Sequence, residues 1–204
     1  MTTLSCISPQ NPQNCLAVIL AGGKGKRLGG CFKSLIQVHN IPVIDHQLKV
    51  TNEIASQSIL VGTNKSLFSL DRPHLSTWPD LYGDHSPLSG IKTALYASAL
   101  PWVWIFANDL PFITVDACSH LSQACDLYYK DHHRFPLIIF YRTQFIQPLA
   151  ALWHRDAFTR LCGTSGKHAS LQSLCQQMPH LALPLKDPYI LHNINTIEDL
   201  KKIT

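Results

Sequence analysis

The sequence predicts an α/β domain in which helices cover both faces of a doubly wound, mostly parallel sheet, giving three layers. Uninterrupted apolar runs, such as 15–20 and 102–107, are typical of strands that are buried on both faces of a parallel sheet. Segments with apolar residues at helical spacing lie between these runs. Several runs lead into loops with glycine or an acid, where doubly wound sheets bind their ligands.

The predicted strands are short apolar runs in this order: 15–20, 58–62, 75–80, 102–107, 136–141 and 148–153. The first leads into a glycine-rich loop, and the third and fourth lead into Asp80 and Asp109. Because the carboxyl ends of parallel strands meet at one edge of a sheet, we expect the loops after Leu20, Trp78 and Ala107 to lie together.

The predicted helices have apolar residues at three- and four-residue spacing: 42–56, 87–100, 115–129 and a short helix in the tail 193–203. In the first of them Ile44 and Leu48 can share a buried side. Pro87 suits the first turn of the second helix. Thr196 and Asp199 have the spacing of a capping box before the tail helix.

One folded domain is expected over 15–204, after a loose polar leader over 1–14. The net charge of +4 comes from scattered bases, which favours a small anionic ligand over nucleic acid. The seven cysteines contain no C-x-x-C pair, so neither a disulfide framework nor a zinc ribbon is indicated. With no recognisable export signal or membrane-length apolar run, we expect a cytoplasmic protein without a membrane partner.

The segment 20–35 holds five glycines and four basic residues directly after a buried strand. Glycines let backbone N–H groups approach a ligand, and basic side chains neutralise phosphate charge. The segment therefore predicts a cradle for a triphosphate; the alternative is an ordinary glycine-rich turn with solvated lysines. Leu28 breaks the dinucleotide-binding pattern, and Leu161 and His168 exclude a Walker loop that ends at 166–167.

Four sequence motifs follow one another along most of the chain: LAGG-x-x-x-R-x-GG-x-x-K at 20–33, SPLSGIKTAL at 86–95, ANDLPF at 107–112 and NINTIEDL at 193–200. Together they resemble the molybdenum cofactor guanylyltransferases. The resemblance implies a Rossmann-like fold of the nucleotide-diphospho-sugar transferase type. It also implies transfer of GMP from GTP to molybdenum-bound molybdopterin, with Mg²⁺ as cofactor, and transient contacts with molybdopterin-delivering proteins and molybdoenzymes.

The same resemblance implies roles for individual residues. The implied nucleotide-binding residues are Leu20, Ala21, Gly22, Gly23, Lys33, Gly62, Asp80 and Asp109. The implied catalytic residues are Arg27, Lys33 and Asp109, of which Asp109 would hold Mg²⁺. The implied acceptor-binding residues are Gln147, Asn193 and Asn195. For Asp109 the alternative is a capping residue in a turn.

The chain departs from the family pattern at several positions. Phe32 stands where the pattern has Asp, Ser86 where it has Gly, and Gly62 where it has a nucleotide-contacting Asn. The sequence leaves the choice between guanine and cytosine open. Two alternatives also stay open: another nucleotidyltransferase, such as a cytidylyltransferase acting on a pterin, an alcohol phosphate or a sugar phosphate, and a nucleotide-binding module without catalysis.

Overall fold

The computed structural model describes residues 7–22, 32–62, 72, 75–83, 86–163, 170–195 and 199. The strands are β1 Cys15–Leu20, β2 Gln37–Val38, β3 Ile41–Pro42, β4 Gln57–Val61, β5 Ser76–Trp78, β6 Trp102–Ala107, β7 Ile138–Arg142, β8 Ile146–His154 and β9 His180–Pro184. The α-helices are α1 Val43–Ile54, α2 Pro87–Ala97, α3 Val115–His132, α4 Ala157–Gly163 and α5 Leu171–Gln177. Short 3-10 helices cover Pro12–Asn14, Lys33–Leu35 and Pro188–Leu191.

A seven-stranded sheet in the order β5-β4-β1-β6-β8-β7-β9 forms the middle layer. The neighbours β5, β4, β1 and β6 pair in parallel, and β7 pairs in parallel with β9. β8 pairs antiparallel with both β6 and β7, while β2 and β3 form a separate antiparallel pair. The predicted doubly wound, mostly parallel sheet is confirmed.

Two hydrophobic clusters fill the space on either side of this sheet. One face of the sheet packs against α1 and α3, and the other against α2, α4 and α5. Side chains of β6 alternate between these clusters, so that Trp104 and Phe106 face the first cluster and Val103 and Ile105 face the second. The three predicted layers are therefore present, and every residue of β1 is buried.

Side-chain caps fix where two of the helices begin. The Ser86 side chain accepts a hydrogen bond from the Ser89 N–H and starts α2, with Pro87 in the first turn. The Thr114 side chain accepts from the Ala117 N–H and starts α3, which ends at the left-handed His133. Because α2 follows β5, its N-terminus lies at the carboxyl edge of the sheet, where β1, β4 and β6 also end.

Residues 7–14 pack against the domain, so this part of the chain is not the loose leader that the sequence predicted. The Trp102 indole N–H donates to the Ile7 carbonyl at 2.7 Å. The Ser8 hydroxyl donates to Asp126 Oδ2 at 2.6 Å. A buried indole and a buried carboxylate need hydrogen-bond partners, and this segment supplies them. Residues 1–6 lie outside the described residues.

Candidate active site

A cavity of about 210 Å³ lies at the carboxyl edge of the sheet. Its lining comes from the ends of β1, β4 and β6, the loop after β5, the start of α2 and the start of β8: Leu20, Gly22, Lys33, Val61, Gly62, Asp80, Ser86, Pro87, Gly90, Ala107, Asn108, Asp109 and Leu149. β8 runs opposite to its neighbours, so its beginning, not its end, reaches this edge. The three loops predicted to meet do meet here.

One side of the cavity, which we call the backbone wall, consists of Leu20, Gly22, Gly62 and the first turn of α2 as far as Gly90. Gly62 has φ of +87°, a conformation that glycine adopts freely, asparagine tolerates and β-branched residues avoid. A Cβ atom at Gly90 would lie 2.8 Å from Leu20 Cδ2, so this glycine lets α2 approach the end of β1 closely. The wall thus presents main chain and a helix N-terminus, which favour an anionic ligand.

The Asp80 carboxylate stabilises the backbone wall through hydrogen bonds. Its Oδ1 accepts hydrogen bonds from the Tyr82 N–H at 3.1 Å, from the Gly83 N–H at 3.3 Å and from the Ser89 hydroxyl. The carboxylate therefore links the turn after β5 to the first turn of α2. It also lines the cavity, at the place where the resemblance implies a nucleotide contact.

A second part of the cavity, which we call the charged wall, consists of the lining side chains of Lys33 and Asp109, together with Asn195, which contacts Lys33 from outside the lining. The Lys33 ammonium lies 2.9 Å from Asp109 Oδ2 and 2.6 Å from Asn195 Oδ1. The exposed fractions of the Lys33 and Asp109 side chains are 24% and 13%, so the ion pair is partly shielded from water. A charge in such a position interacts more strongly with a phosphate than a fully solvated one does.

The Asp109 carboxylate fits the role of a magnesium ligand. Its Oδ1 is buried and has no hydrogen-bond partner in the described part of the chain. Mg²⁺ needs one or two protein carboxylates and takes its remaining ligands from water and substrate phosphates. Among the described residues no group of three or more His, Cys, Asp or Glu side chains could hold a metal. A single carboxylate such as Asp109 is enough for an ion that a nucleotide's phosphates also bind.

The other residues that the resemblance implies are placed as follows. Ala21 follows β1, and its N–H donates to the Val61 carbonyl at 2.9 Å, which ties the ends of β1 and β4 together. Gln147 lies near the start of β8, two residues before the cavity-lining Leu149. Asn193 is exposed near the charged wall. Gly23 and Arg27, together with the predicted tail helix from Thr196 onward except for Asp199, lie outside the described residues.

Two polar residues near the site were missed by the sequence reasoning. Asn108 is buried and lines the cavity beside Asp109. Gln47 on α1 is fully buried, and its side-chain N–H donates at 2.6 Å to the carbonyl of Ala107, the last residue of β6. Gln47 thus holds the strand end from which Asp109 follows. An amide within the apolar spacing of α1 was the signal that could have identified it.

The buried thiols are poor nucleophiles. Burial raises the pKa of Cys15 and of Cys175 to about 12, and it also raises the pKa of Cys118 and Cys125. Such thiols stay protonated at neutral pH, whereas the thiolate is the reactive form. The described cysteines are all free, and these four belong to the two cores. They contribute packing, not chemistry.

A doubly wound sheet with a glycine-lined wall, a helix N-terminus and a lysine–carboxylate pair around one cavity is typical of α/β proteins that bind phosphates. A comparison with protein families is more specific. The family model of the MobA-like NTP transferase domain matches residues 17–181. The chain belongs to this family. Among the described helices, none has both the length and the apolar character needed to cross a membrane.

Individual relatives extend over most of the chain. The molybdenum cofactor guanylyltransferase of Histophilus somni is 29% identical, over 91% of this chain and 94% of its own length. That of Vibrio cholerae is 28% identical, over 79% of this chain and 76% of its own. Among solved structures, molybdopterin-guanine dinucleotide biosynthesis protein A of Archaeoglobus fulgidus superimposes with a TM-score of 0.73 at 20% identity, covering 92% of this chain and 96% of its own. The last comparison supports the fold.

Proposed function

We propose that this protein transfers GMP from GTP to molybdenum-bound molybdopterin, releasing pyrophosphate and the guanine dinucleotide form of the cofactor. The observation that carries the proposal is the Lys33–Asp109 pair at the cavity, with its 2.9 Å contact and with Asp109 Oδ1 left without a described partner. The relatives named molybdenum cofactor guanylyltransferase, aligned over most of the chain, support the choice of donor and acceptor.

In the proposed reaction an oxygen of the acceptor's terminal phosphate attacks the α-phosphorus of GTP. A new P–O bond forms at the α-phosphorus, and the bond between the α-phosphorus and the oxygen that bridges to the β-phosphorus breaks. Pyrophosphate leaves with the electron pair of that bond. A phosphate oxygen is already ionised at neutral pH, so the attack requires no general base. The protein contributes positioning and charge compensation, which dominate phosphoryl-type transfers.

The chain's own residues divide these tasks between the two walls. Lys33 binds phosphate oxygens and offsets the negative charge that accumulates on the leaving group. Main-chain groups from Leu20 to Gly22 and at Gly62 hold the nucleoside part, with the first turn of α2 beside it. Mg²⁺, held by Asp109 together with the nucleotide phosphates, would supply further positive charge at the phosphates.

The acceptor enters from the side of β8 and the tail in this proposal. Gln147 and Asn193 offer amide donors and acceptors there, and neither belongs to the cavity lining that we assign to GTP. A cytoplasmic location suits these substrates. We further propose transient contacts with the proteins that deliver molybdopterin and with molybdoenzymes, and no nucleic-acid or membrane partner.

The first test is pyrophosphate release by the purified protein with GTP, CTP, ATP or UTP, each with Mg²⁺ and with molybdenum-bound molybdopterin as the acceptor. The second is calorimetric titration of each nucleotide. We expect the tightest binding and the fastest release with GTP, and loss of release when EDTA removes Mg²⁺. A preference for CTP would support a cytidylyltransferase instead. Nucleotide binding without pyrophosphate release from any acceptor would leave a non-catalytic nucleotide-binding module.

A further inference from the structure

The two asparagines of the N-x-N tail lie in different environments. Asn193 is exposed, whereas Asn195 is half-buried and its Oδ1 accepts a hydrogen bond from the Lys33 ammonium at 2.6 Å. Between them, Ile194 is buried in a small cluster with Val38 and Val43. The family resemblance implies that both amides bind the acceptor. In the structure, however, Asn195 contacts Lys33 and Asn193 is exposed.

The tail is fastened to both segments that form the charged wall. The Ile194 N–H donates to the Asp109 carbonyl at 3.0 Å. The cluster around Ile194 also includes Ile36, three residues after Lys33, and Phe112, three residues after Asp109. The Asn195 N–H is in turn held by Asp199 Oδ2 at 2.9 Å. Asn195 therefore has a fixed place relative to Lys33.

We propose that Asn195 is a positioning residue of the nucleotide site, which directs the Lys33 ammonium toward the nucleotide phosphates, and that Asn193 alone serves the acceptor. This inference rests on the proposed function in one respect, namely that Lys33 binds phosphate. A lysine has a flexible four-carbon stem, so an acceptor that fixes its ammonium reduces the entropy lost when a phosphate binds. An ammonium has three donors, and Asp109 and Asn195 take two of them within the described residues.

The neutrality of the amide is essential to this role. A carboxylate at 195 would hold the ammonium at least as well, but it would place a second negative charge beside Lys33, in addition to that of Asp109, and would repel the phosphates. An amide orients Lys33 without reducing the positive charge that the phosphates meet. Asn195→Ala and Asn195→Asp therefore separate two effects: the first removes the acceptor, and the second keeps an acceptor of the same size but adds charge.

The experiment compares these two variants with Asn193→Ala, a matched change two residues away. Three quantities are measured on the whole chain: the dissociation constant of GTP with Mg²⁺, by calorimetry; the KM for molybdenum-bound molybdopterin, from pyrophosphate release; and the rate at which an N-hydroxysuccinimide ester labels Lys33 without nucleotide, by site-resolved mass spectrometry. For Asn195→Ala we expect GTP affinity to fall about 10-fold, the usual cost of ordering a flexible side chain on binding, and Lys33 labelling to accelerate several-fold.

For Asn195→Asp we expect GTP affinity to fall at least as far while Lys33 labelling stays as slow as in the wild type. Asn193→Ala should change neither GTP affinity nor Lys33 labelling and should weaken only acceptor binding. If Asn195→Ala melts too early to be measured, Asn195→Asp carries the test, because a general loss of structure would accelerate labelling whereas the proposal requires slow labelling with weak GTP binding.

Unchanged Lys33 labelling in Asn195→Ala would overturn the proposal, as would unchanged GTP affinity combined with weaker acceptor binding. A wild-type protein that binds no nucleotide would refute the proposed function separately. The labelling comparison would then still decide whether Asn195 orients Lys33, because it uses no nucleotide.

Discussion

The two walls of the cavity are built from different materials. The backbone wall uses main-chain groups of neighbouring strand ends and a helix N-terminus, with glycines at 22, 62 and 90 keeping it open. The charged wall uses three side chains from distant parts of the chain, since Lys33 is separated from Asp109 by 76 positions and from Asn195 by 162. We therefore expect the backbone wall to be destabilised when a side chain is added to it, and the charged wall to lose activity when a side chain is removed from it.

The largest effect is expected from removing the charged wall's ion pair. Lys33→Ala and Asp109→Asn should each lower turnover at least about 100-fold, because Lys33 offsets the negative charge of the transition state directly and Asp109 does so through the Mg²⁺ that it would hold. Their melting temperatures should stay close to that of the wild type, because both side chains line the cavity, where water can solvate the partner that remains. Steady-state pyrophosphate release and thermal melting measure the two quantities.

Matched controls for these variants lie in the last turn of α3, where Lys130 and Asp131 are exposed. Lys130→Ala and Asp131→Asn make the same chemical changes outside the cavity lining, and both should leave turnover at the wild-type level. Normal turnover in Lys33→Ala would remove the charged wall from the mechanism. A large fall in its melting temperature would instead indicate that the ion pair is structural.

The next largest effect is expected when a side chain is added to the backbone wall at Gly62. Gly62 has φ of +87°, and a Cβ there would lie 3.5 Å from the Gly22 nitrogen, which is ordinary van der Waals contact. The cost of a side chain at 62 is therefore conformational, not steric. Gly62→Val should lower the free energy of unfolding by about 2 kcal/mol, because a β-branched residue is strained at positive φ.

Gly62→Asn is the matched variant, because asparagine is the non-glycine residue that best tolerates this conformation and is the residue of the family pattern. It should cost less than about 1 kcal/mol and preserve GTP affinity. Urea denaturation compares the two variants. Equal losses of stability from Val and Asn would contradict the conformational explanation and would point to crowding against Gly22.

The backbone wall was more predictable from the sequence than the charged wall. Strands buried on both faces give continuous apolar runs, so β1, β4 and β6 and the loops after them could be recognised and assigned to one edge. Gly22 and Gly90 lie within the recognised motifs, whereas Gly62 is a departure from the family pattern. The contact between Lys33 and Asn195 could not be predicted, because it depends on the burial of Ile194 against residues that the chain order places far away.

The directions of the strands were also less predictable from the sequence than their positions. The runs that became β7 and β8 were recognised as strands, but β8 proved antiparallel because a three-residue turn, 143–145, joins them and short connections produce hairpins. The predicted runs, 136–141 and 148–153, left six residues between them, so the tight turn was not evident from the sequence. β9 was not predicted at all, since its apolar residues, 181–183, form only a short run before Pro184 and are half-buried at the edge of the sheet.

The smallest effect concerns Ser86, where the chain departs from the glycine of the family pattern at the entrance to the backbone wall. The Ser86 side chain accepts a hydrogen bond from the Ser89 N–H at 3.1 Å and so caps α2. Serine and glycine are both good N-cap residues, serine through this hydrogen bond and glycine through its backbone freedom, whereas alanine offers neither. Ser86→Ala should therefore lower the free energy of unfolding by about 1 kcal/mol, and Ser86→Gly by only a few tenths.

Both variants should keep GTP affinity and turnover within twofold of the wild type, a margin of about 0.4 kcal/mol, because the wall presents main chain at this position. Urea denaturation and pyrophosphate release give the two readouts. A more than tenfold loss of GTP affinity in Ser86→Gly would mean that the serine hydroxyl itself contacts the nucleotide, and that the backbone wall contains a side-chain contact that the family pattern lacks.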